Sequence, residues 1–266
     1  VGLGSIGTRH LKNLANLCAD RGWTLQADAL RSDLTRPLRP GAAELLHAQY
    51  TDLTAAPAHY DMVFITNPTS LHAEALRQVK GRGEALFIEK PIFSAEQTGL
   101  ALGELLPAGQ KAYVAAPMRW CGAMLALKDR LPALHPYCAR VICSSYLPDW
   151  RPGVDYRTVY SARKALGGGV TIDLIHEWDY LVELFGVPEK LYNFKGTYSE
   201  LEIDSDDLSV YIAKYPTLLA EVHLDYFGRG YRRSIELFCR DGSYLADFGK
   251  GTLTLPDGTV QHYEED

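Results

Sequence analysis

Cysteine is scarce in this chain of 266 residues: Cys18, Cys121, Cys138, Cys143 and Cys239 form an odd, scattered set. None stands in a C-x-x-C pair, and no histidine joins them at zinc-ligand spacing. Neither a disulfide scaffold nor a metal site is therefore expected. Reduced thiols packed in the core of a cytoplasmic protein are the simplest reading. Positive charge is also short. Lys and Arg number 27 against 33 Asp and Glu, a net charge of −6 without a basic stripe, so nucleic acid is not an expected partner. No apolar run approaches the roughly 20 residues that span a bilayer, which leaves no membrane partner to expect. Internal repeats and low-complexity linkers are absent too. What remains is a composition of 47% hydrophobic and 23% charged residues, ordinary for a globular protein of one large or two modest domains.

The chain is organised around its first residues, Val1-Gly2-Leu3-Gly4-Ser5-Ile6-Gly7. The G-x-G-x-x-G spacing, followed by an amphipathic run with Leu11, Leu14, Ala15 and Cys18 on one face, predicts a strand turning tightly into a helix. Gly2 permits the turn, Gly4 lets a pyrophosphate approach the backbone, and Gly7 lets helix and strand pack closely. The helix start supplies N–H groups and partial positive charge, so Gly2, Gly4, Ser5, Ile6 and Gly7 are candidate dinucleotide-binding residues. Only residues 1–3 precede the turn, where a central strand has about five or six. The expectation is that several native residues are missing in front.

Residues 24–30 read as the second strand, and its end is where such folds discriminate the adenosine ribose. Arg31 and Ser32 there, with Arg36 close behind, favour the 2′-phosphate of NADP. Alternatively, Asp28 or Asp33 serves as the ribose acid of an NAD site and Arg31 is merely solvated. A buried-type strand at 61–66 runs into Asn67-Pro68-Thr69 and a helix over 70–80. Strand ends line the ligand crevice of a parallel sheet, which places Asn67, Pro68, Thr69 and His72 near the cofactor. A strand at 85–88 ends in Glu89-Lys90-Pro91, and alternating elements to about residue 114 spell a doubly wound α/β domain over 1–116. A lysine at a strand end can hydrogen-bond a substrate hydroxyl and stabilise charge there. A cis peptide before Pro91 is possible. Equally, Lys90 is a surface lysine paired with Glu89.

Over 117–266 the pattern changes. A helix at 121–131 and a strand at 139–146 precede a Pro- and aromatic-rich loop, then Gly167-Gly168-Gly169 and a helix through Phe185. Strand-like stretches at 190–198, 208–214, 218–226 and 232–239, with weaker ones to Tyr263, imply a mostly antiparallel sheet with one helix-covered face. In the helix, Leu174, Trp178, Leu181 and Phe185 recur at core spacing, while Asp173, His176, Tyr180 and Glu183 fall on the other side. Asp173 and His176 are neighbours at three apart, and a histidine suits proton exchange with a hydroxyl. The plain alternative is the wet face of an amphipathic helix. Three consecutive glycines suggest that something approaches the backbone closely.

Taken together, G-L-G-S-I-G, N-P-T-S-L-H (67–72), E-K-P (89–91), a lone arginine after a strand (Arg119) and G-G-G-V-T-I-D-L-I-H-E-W-D resemble the Gfo/Idh/MocA oxidoreductases. The resemblance covers nearly the whole chain. It implies a Rossmann domain followed by an α/β domain whose open sheet mediates homo-oligomer formation. It also implies that Lys90 contacts substrate near the nicotinamide and that His176 acts as acid/base. Asp173 is three rather than four residues before the histidine, a turn of about 100° on a helix, and is a supporting catalytic candidate. Glu89 joins Lys90 on the cofactor side. Arg119, with Trp150, Tyr156, Arg157 and Tyr160 from the aromatic loop, is expected at the substrate, since rings suit sugar faces and arginines suit carboxylate or phosphate. The loop aromatics alternatively close a cleft between the domains. Family members carry a further helix after the sheet, so the C-terminal end at Asp266 is expected to be shortened. The expected activity is an NADP-preferring dehydrogenase or reductase of a sugar or nucleotide-sugar hydroxyl or ketone. A non-catalytic dinucleotide sensor and a reductase of a non-sugar substrate are the alternatives.

Overall fold

Val1 and Gly2 hold the first unit together. In the computed structural model, which describes residues 1–97 and 99–264, the Val1 ammonium donates to the Phe64 carbonyl at 2.6 Å. The Val1 carbonyl accepts from the Thr66 N–H at 2.9 Å, and the Gly2 N–H donates to Leu30 at 3.0 Å. These bonds link two parallel sheets. One pairs β1 (Ala27–Leu30) with β2 (Leu46–Tyr50); the other runs in the order β3 (Tyr60–Ile65), β4 (Gly83–Ile88), β5 (Lys111–Val114). Residues 1 and 2 thus bridge the two ladders by backbone hydrogen bonds. Helix α1 (Ser5–Asp20) follows the glycine turn, α2 (His72–Gln78) follows a 3₁₀ turn at Thr69–Leu71, and α3 (Leu102–Leu105) is a single turn. Ile65, Leu76, Leu86 and Ile88 form the core of this unit.

The chain divides into two compact units, Val1–Ala115 and Ala116–Asp266. The second holds an eight-stranded sheet built from β6 (Cys138–Tyr146), β7 (Lys190–Gly196), β8 (Leu208–Lys214), β9 (Leu219–Asp225), β10 (Phe227–Cys239), β11 (Gly242–Asp247), β12 (Thr252–Thr254) and β13 (Val260–His262). Its order is β13-β12-β11-β10-β6-β9-β8-β7, antiparallel throughout except for the central β6–β9 pair. Helix α4 (Gly122–Leu134), the short α5 (Val170–Asp173) and α6 (His176–Phe185) complete the unit. Met124, Leu127, Val141, Leu181, Val222 and Ile235 belong to one continuous core.

The expected continuous helix after Gly169 is broken. Leu174 leaves helical geometry (φ −94°, ψ 38°), and α6 restarts at His176. The break changes the faces, so three side chains on or beside the expected wet face are buried: Asp173 at 4%, Glu177 at 0% and Tyr180 at 0% exposure. The triple glycine is explained by the chain itself rather than by a ligand. A Cβ on Gly168 would lie 2.1 Å from the Tyr160 carbonyl oxygen, and Gly169 has φ +123° beside the Asp206 carboxylate. Asp206 in turn accepts from the Thr171 N–H and hydroxyl at 2.9 and 2.6 Å. Among the described residues, no helix is long and apolar enough to cross a membrane, and no cluster of three His, Cys, Asp or Glu could hold a metal.

Candidate functional site

The glycine turn has the form a dinucleotide requires. Gly2 sits at φ +81°, and a Cβ there would lie 2.7 Å from Asn67 N and Cα. At Gly7 a Cβ would meet the Gly2 carbonyl oxygen at 2.4 Å and Thr66 Oγ1 at 2.7 Å. At Gly4 it would meet nothing within 4 Å. Gly4 caps α1 without a side chain, no acid occupies the first turn, and the first helical bond runs from Thr8 N–H to the Gly4 carbonyl. The N–H groups of Ser5, Ile6 and Gly7 precede that bond and have no partner within the helix. Open space beside uncapped N–H groups fits a pyrophosphate. Near the turn, Asn67 Oδ1 is a buried acceptor without a partner in the structure, while its amide donates to the Leu71 carbonyl at 3.3 Å. Thr69 and Pro68 form the entry to the following 3₁₀ turn.

Gly7, which is closely packed, and Gly4, which is not, should respond differently to alanine. Gly7→Ala is expected to cost on the order of 2–3 kcal/mol of stability through forced overlap. Gly4→Ala should change stability by less than about 1 kcal/mol yet weaken NAD(P)H binding at least about tenfold by filling the anion's space. Thermal unfolding and fluorescence titration of NAD(P)H separate the two. Equal destabilisation would overturn the assignment.

At the end of β1, Asp28 is withdrawn from the position it would need as a ribose acid. Its carboxylate accepts from the Tyr60 hydroxyl at 2.9 Å and from His47 at 3.1 Å, and its side chain is 4% exposed. Asp33 caps Thr35 at 2.8 and 2.6 Å, and those bonds hold its carboxyl below the usual range. Arg31 donates to Gln49 Oε1 at 2.6 Å and to the Arg36 carbonyl at 2.5 Å, with Ser32 exposed beside it.

At the end of β4, Glu89 is bonded within the chain. It is buried, with Oε1 accepting from His10 Nε2 at 2.6 Å and Oε2 from the Lys90 N–H at 3.0 Å. Both oxygens therefore hold the chain around Lys90, whose peptide to Pro91 is cis. His72 is 1% exposed, with Nδ1 3.2 Å from the Ile92 carbonyl and Nε2 2.9 Å from the Asn67 carbonyl. Burial pushes its pKa down, which favours the neutral ring. A neutral ring carries one N–H, so it donates to one of these two carbonyls at a time.

In the second unit, Asp173 is clamped between two hydroxyls. Tyr160 donates to Oδ1 in a very short bond, and Tyr226 donates to Oδ2 at 2.7 Å. Burial and the adjacent Asp173 charge push both phenols above their ordinary range. Trp150 packs its edge on Tyr226 at 5.3 Å and donates Nε1–H to Ser145 at 3.0 Å. Trp150, Tyr160 and Asp173 thus come together through Tyr226, which local sequence does not reveal because it lies 53 residues from Asp173. His176 is the half-buried first residue of α6.

The two arginines expected at substrate are engaged elsewhere. Arg119 donates Nε and one terminal nitrogen to Asp179 at 2.8 and 2.6 Å, and the other to Glu183 at 2.7 Å. Arg157 is forked on Asp155 and reaches Glu202 at 2.9 Å, contacts that raise its already high pKa. Tyr156 accepts the Glu202 N–H at 3.2 Å. Arg119 fastens α6 to the turn before α4, and Arg157 fastens an exposed loop. Carboxylates of the chain hold both.

Residues 1–114 match the Gfo/Idh/MocA oxidoreductase family, with an NAD-binding Rossmann fold. An uncharacterized oxidoreductase of Bacillus subtilis strain 168, YrbE, is 24% identical over 265 residues, covering 95% of this chain and 74% of that protein. The WlbA dehydrogenase of Chromobacterium violaceum, solved with NADH and UDP-GlcNAcA, superposes with a TM-score of 0.76 at 21% identity, covering 99% of this chain and 75% of that one. The myo-inositol 2-dehydrogenase of Lactobacillus plantarum gives a TM-score of 0.74 at 19% identity, covering 99% and 80%. At these identities the structural likeness is one of fold, and it extends through the eight-stranded sheet. The family match thus spans the N-terminal unit, residues 1–114, and is to the oxidoreductase family with an NAD-binding Rossmann fold.

Proposed function

We propose that the protein is an NADP-preferring dehydrogenase or reductase acting on the CH–OH or ketone carbon of a sugar or nucleotide sugar. The observation that carries the reading is the open glycine turn together with Lys90, set at the end of β4 by a buried carboxylate. A bound nicotinamide cofactor supplies the hydride acceptor or donor. Uncapped N–H groups at Ser5 and Ile6 hold its pyrophosphate. The withdrawal of Asp28 leaves Arg31 and Ser32 at the ribose position, which supports NADP. The Lys90 ammonium hydrogen-bonds the reacting oxygen and stabilises the charge that develops there. The His176 imidazole of the second unit serves as acid/base. Asp173, held by two tyrosines, keeps the chain before α6 in place, and Trp150 and Tyr160 offer ring surface suited to a sugar face. The second unit serves substrate binding and homo-oligomer formation, for which β7 exposes Tyr192 at 61% and Phe194 at 76%.

Hydride turnover followed by nicotinamide absorbance tests the proposal, with UDP-GlcNAcA, myo-inositol and D-galactose as probes and NADP and NAD compared. Turnover of one probe with a preference for NADP of about tenfold or more is expected. Preference for NAD would overturn the reading of Arg31. Cofactor binding without turnover of any probe would overturn the sugar assignment.

A further inference from the structure

His10 and Glu89 form the most enclosed contact between the glycine-turn helix and the Lys90 segment, across 79 residues of sequence. Their side chains are 19% and 11% exposed. A carboxylate only accepts, so the 2.6 Å contact requires the proton on His10 Nε2. His10 lies five residues into α1, about 7.5 Å along the axis from Ser5, on the same rigid element whose N-terminus meets the pyrophosphate. Its ring packs edge-on against Phe87 of β4 at 4.9 Å and near Phe64 of β3 at 6.1 Å, which fixes its orientation. Glu89 is fixed independently, because its own N–H donates to the Ile65 carbonyl at 2.9 Å. Its remaining oxygen accepts the Lys90 N–H at 3.0 Å. The covalent and hydrogen-bonded path from the helix to the Lys90 backbone therefore contains one movable joint, the Glu89 carboxylate, and His10 orients it.

We propose that His10 is a positioning residue that registers the Lys90 segment to the cofactor helix, so that seating of the dinucleotide is felt at the Lys90 backbone. The inference rests on the dinucleotide reading of the glycine turn. His10 touches neither cofactor nor substrate in this scheme; it acts through Glu89. Two substitutions separate its hydrogen bond from its packing. His10→Phe keeps an aromatic ring against Phe87 and loses the donor. His10→Gln gives up the ring and keeps an N–H close to the position of Nε2.

The test needs no substrate. Protein labelled with ¹⁵N-lysine is titrated with NADPH, and the Lys90 amide resonance is identified by its loss in Lys90→Met. The wild-type amide is expected to shift on binding, His10→Gln to retain that shift, and His10→Phe and Glu89→Gln to lose it. NADPH affinity by fluorescence should stay within about threefold in all of them, since the anion site itself is intact. Given a substrate, His10→Phe should lower kcat by about 10–50-fold with little change in cofactor KM, and His10→Gln should rescue it. An unchanged amide shift in His10→Phe, or no shift in the wild type, overturns the proposal. Absence of any NADPH or NADH binding by the wild type would instead sink the cofactor reading and this one with it. Turnover that survives Lys90→Met alongside a normal amide response would overturn only the catalytic role of Lys90.

Discussion

Replacing Lys90 with methionine is expected to lower kcat by about 10³-fold while leaving the cofactor dissociation constant within about twofold. Methionine matches most of the length of the lysine stem and lacks the ammonium group, so the change removes charge and donors with little loss of volume. The anchoring of the segment does not depend on the side chain: the Lys90 N–H bond to Glu89 and the Glu89 bond to His10 both remain available. A loss confined to kcat and kcat/KM therefore reports an interaction made with the reacting oxygen in the transition state. His176→Ala is expected to cost less, about 10²-fold, because water can carry a proton where it cannot replace a fixed ammonium. Retention of more than about a tenth of wild-type kcat by Lys90→Met would contradict the role given to it, since one removed donor is worth at least 10² elsewhere.

The parts of this molecule legible in sequence are those whose cause is local. Gly2, Gly4 and Gly7 announce their turn because a left-handed φ and two close approaches leave no other residue possible at Gly2 and Gly7. Lys90 could be placed at a strand end because 85–88 is short, apolar and closed by proline. Roles set by distant partners were not legible. Glu89 and His72 sit at or just after strand ends, and sequence does not show that each is buried and bonded within the protein. His10 stands on an ordinary helical run, and nothing within it points 79 residues ahead. The break at Leu174 is hidden by an apolar period that runs unbroken from Leu174 to Phe185, which places Tyr180 on the side away from the core stripe although it is fully buried. Strand β2 alternates half-buried and exposed residues, with none of them fully buried, so it carries little of the apolar signal of a core strand. The arginines are the most instructive case. Arg119 and Arg157 look like grips for an acidic substrate, and only the fold reveals Asp179, Glu183, Asp155 and Glu202 around them.

The same blindness to distant partners hides the strongest stability determinant of the second unit. Glu177, the second residue of α6, is fully buried and forked by Arg233 of β10 at 2.7 and 3.1 Å. Burial by itself would lower the Arg233 pKa, but the Glu177 carboxylate more than offsets this and holds it above its ordinary range. Arg233 lies opposite Cys143 of β6, whose thiol is pushed up mainly by burial, so the pair sits on the middle of the sheet with little water to screen it. Glu177→Ala is therefore expected to destabilise the protein by about 3–5 kcal/mol, because it leaves a guanidinium desolvated and unpaired. That is a large share of the roughly 5–15 kcal/mol that holds a domain folded. Joint replacement by Glu177→Leu and Arg233→Met removes the stranded charge and should return stability to within about 2 kcal/mol of wild type. Denaturant unfolding of Glu177→Leu, Arg233→Met and the double variant gives the coupling. If the double variant is as unstable as Glu177→Ala, packing at this position, rather than the unpaired charge, is what fails. If it recovers stability but turns over slowly, the ion pair has a second consequence. It then fixes the start of α6, and with it the adjacent His176, in a place that apolar side chains of similar volume do not reproduce.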